Sequence, residues 1–229
     1  MTIMEMAPGE RCEIIVDMSD AEPAGLWTLF EDEFDEEEGI ISGFLGLFKG
    51  SKELPGPSLN LVVDTTLSGN TAPLPERLAT IDRPRESEIV RTREFVLTME
   101  GSAHGGDNGN TSHGAHGMMD MAINGSIMDM NVINERVDRG VWERWRVRAD
   151  QGAHPFHVHG CSFLVEQMEG AAAPLDQRGW KDMVVADDDD WSEFVLRFDY
   201  PATEQYPYMY HCHILEHEDR GMMGQFTVT

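Results

Sequence analysis

The sequence predicts an all-β protein, and in particular a β-sandwich. Short runs of strand-type composition recur along the chain, helical periodicity is scarce, and loops rich in Gly, Pro and Asp separate the runs. Many short strands joined by turn signals are typical of sandwiches. The predicted strands cover residues 12–18, 25–30, 59–64, 93–99, 141–149, 161–168, 181–186, 192–200, 208–214 and 224–229.

The order of these strands predicts one complete domain and one partial domain. The stretch TAPLPERLATIDRPRE, residues 71–86, contains three prolines and no periodicity, which is typical of a linker. Too few predicted strands precede it to close a sandwich, whereas enough follow it. We therefore expect residues 1–70 to be part of a domain whose other strands lie elsewhere, residues 71–89 to be a linker, and residues 90–229 to form a complete domain.

Composition excludes several classes of partner. The net charge is −25, so the surface should repel nucleic acid and anionic membranes. The sequence contains no run of eighteen apolar residues, so no membrane-spanning helix is expected. Its first residues do not show the charged start, apolar middle and small-residue cleavage site expected of a secretory signal peptide. The three cysteines, Cys12, Cys161 and Cys212, are odd in number and far apart, so they predict no disulfide framework. Cys12 and Cys161 are expected to be buried free thiols.

Residues 101–131 form a segment rich in Gly, Asn, His and Met, and we interpret it as a flexible insertion. Imidazole and thioether groups together suit copper(I), so contact with copper is a second interpretation. The side chains concerned are His104, His113, His116, Met118, Met119, Met121, Met128 and Met130.

Two histidine-rich stretches predict a metal centre. They are HPFHVHG, residues 154–160, and HCHILEHEDRGMM, residues 211–223. Side chains alternate between the faces of a strand, so His211 and His213 point one way and Cys212 the other. His157 and His159 likewise share a face, and His154 can turn to another site across a bend at Pro155.

Alternation therefore divides the donors into two sets. His154, Cys212, His217 and Met222 supply the two His, one Cys and one weak axial Met of a blue-copper site. Four imidazoles remain for the opposite side, as expected for a copper cluster: His157, His159, His211 and His213. A zinc site is the competing interpretation, but it explains neither eight ligands nor the methionine.

The two stretches resemble the C-terminal copper motifs of multicopper oxidases. INGSIMDM, RGWKDM and EHEDRGMM are most similar to the bacterial copper efflux oxidases, and the Met- and His-rich insertion resembles theirs. PGERCEIIVDMSD, residues 8–20, resembles the end of the family's middle domain. The resemblance implies a cupredoxin-like Greek-key sandwich, a periplasmic location, and a cuprous oxidase that reduces O₂ to water and serves copper tolerance.

The resemblance also implies roles by position. His154, Cys212, His217 and Met222 match type 1 copper ligands, His157 matches a type 2 ligand, and type 3 ligands are matched by His159, His211 and His213. Glu218 matches an acidic proton relay. Asp150 matches a ligand for substrate copper, although Gly152 replaces the methionine usual near it.

The family's trinuclear cluster takes eight histidines, and half of these are missing here. We therefore expect an N-terminal oxidase portion to supply them, with O₂ and Cu(I), or another small reductant such as a phenol, as substrates. Two alternatives remain. The chain could be a copper-binding or electron-transfer module without oxidase activity, or a copper store built on the insertion.

Overall fold

The computed structural model describes residues 6–13, 15, 26–30, 57–62, 64, 66, 73, 79–101, 119–188 and 190–229. The chain divides into two compact units, one of residues 11–80 and one of residues 1–10 together with 81–229. In the first unit, strands β1 (Leu26–Phe30) and β2 (Pro57–Val62) form an antiparallel pair. No helix of the described residues is long and apolar enough to cross a membrane.

The second unit is built almost entirely of strands. Its elements are β3 (Ile89–Gly101), β4 (Met119–Ile123), β5 (Glu135–Val137), β6 (Trp142–Ala149), β7 (His154–Val158), β8 (Phe163–Met168), β9 (Ala171–Ala172), β10 (Trp180–Lys181), β11 (Met183–Ala186), β12 (Ser192–Arg197), β13 (Tyr208–Cys212), helix α1 (Leu215–Asp219) and β14 (Met223–Val228). Short 3-10 turns cover Glu86–Glu88 and Leu175–Gln177.

These strands form two sheets. The first has the order β10-β8-β12-β6-β3-β4, with β9 beside β8, and the second has the order β11-β7-β13-β14-β5. The pairings β3–β6 and β14–β5 are parallel, and the others described are antiparallel. One helix and curled sheets match a cupredoxin-like sandwich, so the predicted all-β fold class is confirmed.

The core lies between the two sheets and is dominated by aromatic rings. Phe95 of β3 lies 4.8 Å from Tyr210 of β13, and Trp145 of β6 lies 5.7 Å from Phe226 of β14, both measured between ring centroids. All four side chains are at most 3% exposed. Strand β6 alternates regularly between half-buried and buried residues, which is the pattern that predicted it.

The ion pair between Arg93 and Glu143 is buried in this sandwich. Arg93 donates to both carboxylate oxygens of Glu143 at 2.7 and 3.0 Å and also pairs with Glu135. The indole N–H of Trp145 donates to the same carboxylate at 2.9 Å. Glu143 is only 2% exposed, and these three donors satisfy a charge that would otherwise be costly to bury.

The structure also corrects the predicted strands. The composition of residues 119–123 predicts part of a flexible insertion, but these residues form β4, which pairs with the end of β3. Met121 is 3% exposed in the core, so packing explains this methionine. Cys12 and Glu13 are not in a strand, and Cys12 is exposed rather than buried, while Cys161 is half-buried. His104, His113, His116 and Met118 lie outside the described residues.

Candidate metal centre

Three donor atoms meet at one end of the sandwich. The Cys212 Sγ lies 3.6 Å from Nδ1 of His154 and 3.6 Å from Nδ1 of His217, and the two nitrogens are 3.1 Å apart. None of the three residues is more than 6% exposed. The arrangement is a closed triangle of one thiol and two imidazoles, shielded from water.

Local structure explains why residues far apart in sequence converge here. Strand β7 pairs antiparallel with β13, which sets Cys212 opposite Phe156, two residues from His154. His154 belongs to β7 itself, so ordinary alternation along the strand, and not a bend at Pro155, turns it away from His157. Helix α1 follows β13 and brings His217 back over the end of the strand.

Backbone hydrogen bonds close the loop from Cys212 to Met222. The N–H of Cys212 donates to the Met222 carbonyl at 3.1 Å, and the N–H of Met222 donates to the His217 carbonyl at 3.0 Å. The Met222 side chain is fully buried. The loop therefore holds all three residues in one rigid turn, with the thioether packed inside the protein.

Burial sets the charge state of these groups. It raises the pKa of the Cys212 thiol to about 12, against a hydrogen bond from the Ile214 N–H at 3.5 Å that lowers it. Burial also lowers the pKa of His217 to about 4, and neighbouring His154 adds to the effect. At neutral pH both imidazoles are uncharged and can offer lone pairs to a metal.

The His154 ring is oriented by a backbone carbonyl. Its Nε2 lies 2.9 Å from the Gln151 carbonyl oxygen, so Nε2 carries the proton and donates it there. The other nitrogen, Nδ1, is then the one with a free lone pair, and it faces Cys212. Such outer hydrogen bonds fix the tautomer of histidine ligands in metalloproteins.

The size of the triangle fits a transition metal ion. The circle through Cys212 Sγ and the two Nδ1 atoms has a radius of about 2.0 Å, close to the roughly 2.0–2.3 Å of metal–nitrogen and metal–sulfur bonds. A His₂Cys set with a buried Met beside it has the donor chemistry of a blue-copper site. The residues present therefore fit a copper ion.

A second group of imidazoles lies on the opposite face of β7 and β13. The ligand atoms of His157, His159 and His211 all lie within 4.8 Å of one another, and Nε2 of His159 is 3.2 Å from Nε2 of His211. His157 donates from Nδ1 to the Asp182 carbonyl at 2.7 Å. His157 and His159 line an open cavity of about 420 Å³.

His213 lies at the edge of this group. Its ring centroid lies 5.5 Å from that of His211 and 5.7 Å from that of His157. Burial and the neighbouring histidines lower the pKa of His159 to about 4, so this imidazole is uncharged at neutral pH. The structure thus brings three of the four predicted residues together and leaves the fourth beside them.

Glu218 and Asp150 differ in their surroundings. Glu218 Oε2 lies 3.3 Å from Nδ1 of His211, within reach of the second group, and its side chain is 33% exposed. Asp150 is exposed and forms an ion pair with Arg148 at 2.7 Å. The role of Asp150 as a ligand for substrate copper stays a prediction.

Sequence reasoning missed three groups that support these sites. They are the carbonyls of Gln151 and Asp182, which orient imidazoles, and Gly9, whose backbone lies against His213. Backbone acceptors carry no residue-type signal, so no pattern could have identified the carbonyls.

Comparison with known proteins places this centre in a family. Residues 100–229 match a family model described as multicopper oxidase. A multicopper oxidase CueO from Ochrobactrum sp. is 32% identical, with a TM-score of 0.61 over 79% of this chain and 40% of its own. A multicopper oxidase from Campylobacter jejuni has a TM-score of 0.64 at 26% identity, over 91% of this chain and 42% of its own.

Curated relatives carry a different kind of name. "Cell division protein FtsP" of Yersinia pestis is 35% identical over 97% of this chain and 41% of the relative. The protein of the same name from Escherichia coli K12 is 33% identical over 98% of this chain and 42% of the relative. The chain thus spans about two fifths of the length of these relatives.

These relatives overturn the expected activity. The resemblance implied a cuprous oxidase acting with O₂, yet proteins that match nearly the whole chain are named for cell division and not as oxidases. The expectation that this chain is a copper-tolerance oxidase is therefore wrong. The copper motifs carried the resemblance to the family, but motifs for metal ligands cannot distinguish an oxidase from a relative with another role.

Proposed function

Because this chain belongs to the multicopper oxidase family, we propose that it is a copper-binding and electron-transfer module with no oxidase activity of its own. The observation that carries the proposal is the buried triangle of His154, Cys212 and His217, whose dimensions and donor types suit one copper ion. Met222 is the proposed axial neighbour.

The chain's own residues would prepare this site for a metal. His154 and His217 are held neutral by burial, and Gln151 fixes the tautomer of His154. Cys212 must lose its proton on binding, because the thiolate is the ligand form. Copper, once held, would supply one-electron oxidation and reduction, and the buried setting would limit rearrangement of water around it.

The second histidine group supports the absence of oxidase activity. It offers three imidazoles in a compact group and His213 nearby, and two of the four, His157 and His159, line an open cavity. The family's trinuclear cluster takes twice as many histidines, and apart from His154 and His217 of the mononuclear centre no further histidine lies within the described residues. Reduction of O₂ to water needs four electrons, whereas one mononuclear centre can deliver one.

The role of the whole protein is proposed from its relatives. Because nearly the full chain matches proteins named for cell division, we propose that the protein serves cell division in its own organism, with the module as its copper-binding part. A periplasmic location is proposed from the resemblance to the bacterial copper efflux oxidases. Deleting its gene should make the cells longer or leave them joined in chains. If the copper site contributes to this role, His154→Gln should cause the same defect.

The activity proposal is tested by electron counting. The copper-loaded chain should accept one electron per mononuclear centre from ascorbate and return it to ferricyanide, without sustained O₂ uptake. Cys212→Ser should abolish this exchange while a surface variant, Arg136→Met, keeps it. Continuous O₂ consumption by the purified wild-type chain would contradict the proposal.

A further inference from the structure

A short turn near the N-terminus lies against the second histidine group. The N–H of Glu10 donates to the Ala7 carbonyl at 3.0 Å, and the N–H of Ala7 donates to the Glu10 carboxylate at 3.1 Å. These two bonds close residues Ala7–Glu10 into a compact turn, which belongs to the same unit as the sandwich.

Glu10 also anchors the turn to the sandwich. Its carboxylate accepts a hydrogen bond from Lys181 Nζ of β10 at 2.8 Å, and the two side chains are only 9% and 11% exposed. Burial alone raises the pKa of Glu10, but Lys181 and the Ala7 N–H lower it to below its ordinary value. The Glu10 carboxylate is thus charged at neutral pH, and both side chains of the pair are largely shielded from water.

Gly9 places its backbone on the ring of His213. A Cβ built on Gly9 would lie 2.9 Å from each of three atoms of that ring, Cδ2, Cε1 and Nε2. A point equally distant from three ring atoms lies above the face of the ring, so the Gly9 backbone is stacked on the imidazole. The φ angle of Gly9 is +79°, in the left-handed region that favours glycine.

The anchor of this turn is adjacent to a group that orients another histidine. Lys181 binds Glu10, and the next residue, Asp182, accepts the hydrogen bond of His157 through its carbonyl. Two adjacent residues, Lys181 and Asp182, therefore connect the turn above His213 to the carbonyl that orients the His157 ring.

From this geometry we propose that the Ala7–Glu10 turn positions His213 in the second histidine group, with Gly9 stacked on the ring and the Glu10–Lys181 ion pair as its anchor. The turn blocks one face of the ring and so limits the rotations His213 can adopt. Gly9, Glu10 and Lys181 are positioning residues, since they act on a metal site through His213. The mononuclear centre plays no part in this arrangement.

The first test compares two glycine substitutions with the same backbone cost. Gly9→Ala and Gly140→Ala both place a side chain at a left-handed φ, +79° and +81°, but a Cβ at Gly140 meets nothing within 4 Å. We expect Gly9→Ala to move the His213 ring signal in ¹H–¹³C spectra of histidine side chains, assigned with His213→Gln. Gly140→Ala should leave it in place.

The second test measures binding of Cu(II) ions alone in a Cys212→Ser background, where the mononuclear centre is removed. Changes to residues that orient metal ligands commonly cost about 10–100-fold in affinity. We expect Gly9→Ala, and separately Glu10→Gln, to weaken Cu(II) binding by about 10-fold or more, and Gly140→Ala by less than about 2-fold.

The proposal is overturned if the His213 signal is unchanged in both Gly9→Ala and Glu10→Gln. It is also overturned if Gly9→Ala and Gly140→Ala weaken Cu(II) binding equally. Because neither readout depends on the mononuclear centre, both remain decisive even if the electron-transfer proposal fails.

Discussion

The Sγ atom of Cys212 lies 3.6 Å from Nδ1 of His154, although 58 residues separate them in the sequence. Strand pairing between β7 and β13 creates this contact, because it sets Cys212 opposite Phe156 and turns the same face of both strands to the interior. The same pairing places His157 and His211 in register on the other face. Two distinct histidine sites thus follow from one pair of strands.

The two faces can be separated by a pair of matched substitutions. We expect His154→Gln to weaken binding at the mononuclear centre by about 100-fold or more, because it removes a ligand and not only its support. His159→Gln, on the opposite face, should leave that centre within about 2-fold. Competition with a chelator of known copper affinity, read by the colour of the Cys212 centre, measures both. Equal losses would show that the faces are not independent.

Met222 should tune the centre without being needed for folding. Met222→Leu conserves volume in a fully buried position, so we expect a loss of less than about 1.5 kcal/mol in the free energy of unfolding. The blue colour should persist, since it depends on the thiolate. The reduction potential should rise, because a hydrocarbon stabilises the more highly charged Cu(II) less than a thioether does. An unchanged potential would place the sulfur outside the coordination sphere.

The buried histidines make the metal-free protein sensitive to acid. The pKa of His217 is lowered to about 4 in the fold, from about 6.5 when unfolded. The unfolded chain therefore binds the proton more readily, so the stability present above pH 6.5 is lost as pH falls toward 4. Between pH 7 and pH 5 we expect His217→Gln to remove about 1–2 kcal/mol of this loss. Urea unfolding at the two pH values measures this. The prediction is contradicted if the free energy of unfolding falls by the same amount between pH 7 and pH 5 in the wild type and in His217→Gln.

Two arginines test how burial changes the contribution of an ion pair to the free energy of unfolding. Arg93→Met should cost about 3–5 kcal/mol of stability, because it leaves the 2%-exposed carboxylate of Glu143 without its cation. Arg136→Met is the matched control, since Arg136 pairs with Glu204 at 65% and 71% exposure and should cost less than about 1 kcal/mol. Equal effects in urea unfolding would refute this account of the core.

Period-two alternation makes most of the sandwich predictable from the sequence. It identifies β6 and β13, and it assigns His211 and Cys212 to opposite faces of one strand. Strand β4 escapes prediction because its Met- and Ala-containing sequence lies inside a stretch rich in Gly, His and Asn, where composition outweighs pattern. Strand β5 is three residues long, which is too short to show a period-two pattern.

Other features depend on contacts that no sequence pattern encodes. The carbonyl acceptors at Gln151 and Asp182 and the stacking of Gly9 on His213 arise from the folded backbone. The predicted oxidase function is wrong for a related reason. Copper motifs indicate which metal ligands a chain carries. They do not indicate the role of the protein, because a relative that is similar over nearly the whole chain is named for cell division.

The most direct test of the central claim is the visible spectrum of the copper-loaded chain beside that of Cys212→Ser, with copper per chain measured on both. A thiolate ligand at His154, Cys212 and His217 predicts a strong blue charge-transfer band that is lost completely in Cys212→Ser. A wild-type chain that binds copper without colour, or a Cys212→Ser variant that stays blue, would show that Cys212 is not the ligand.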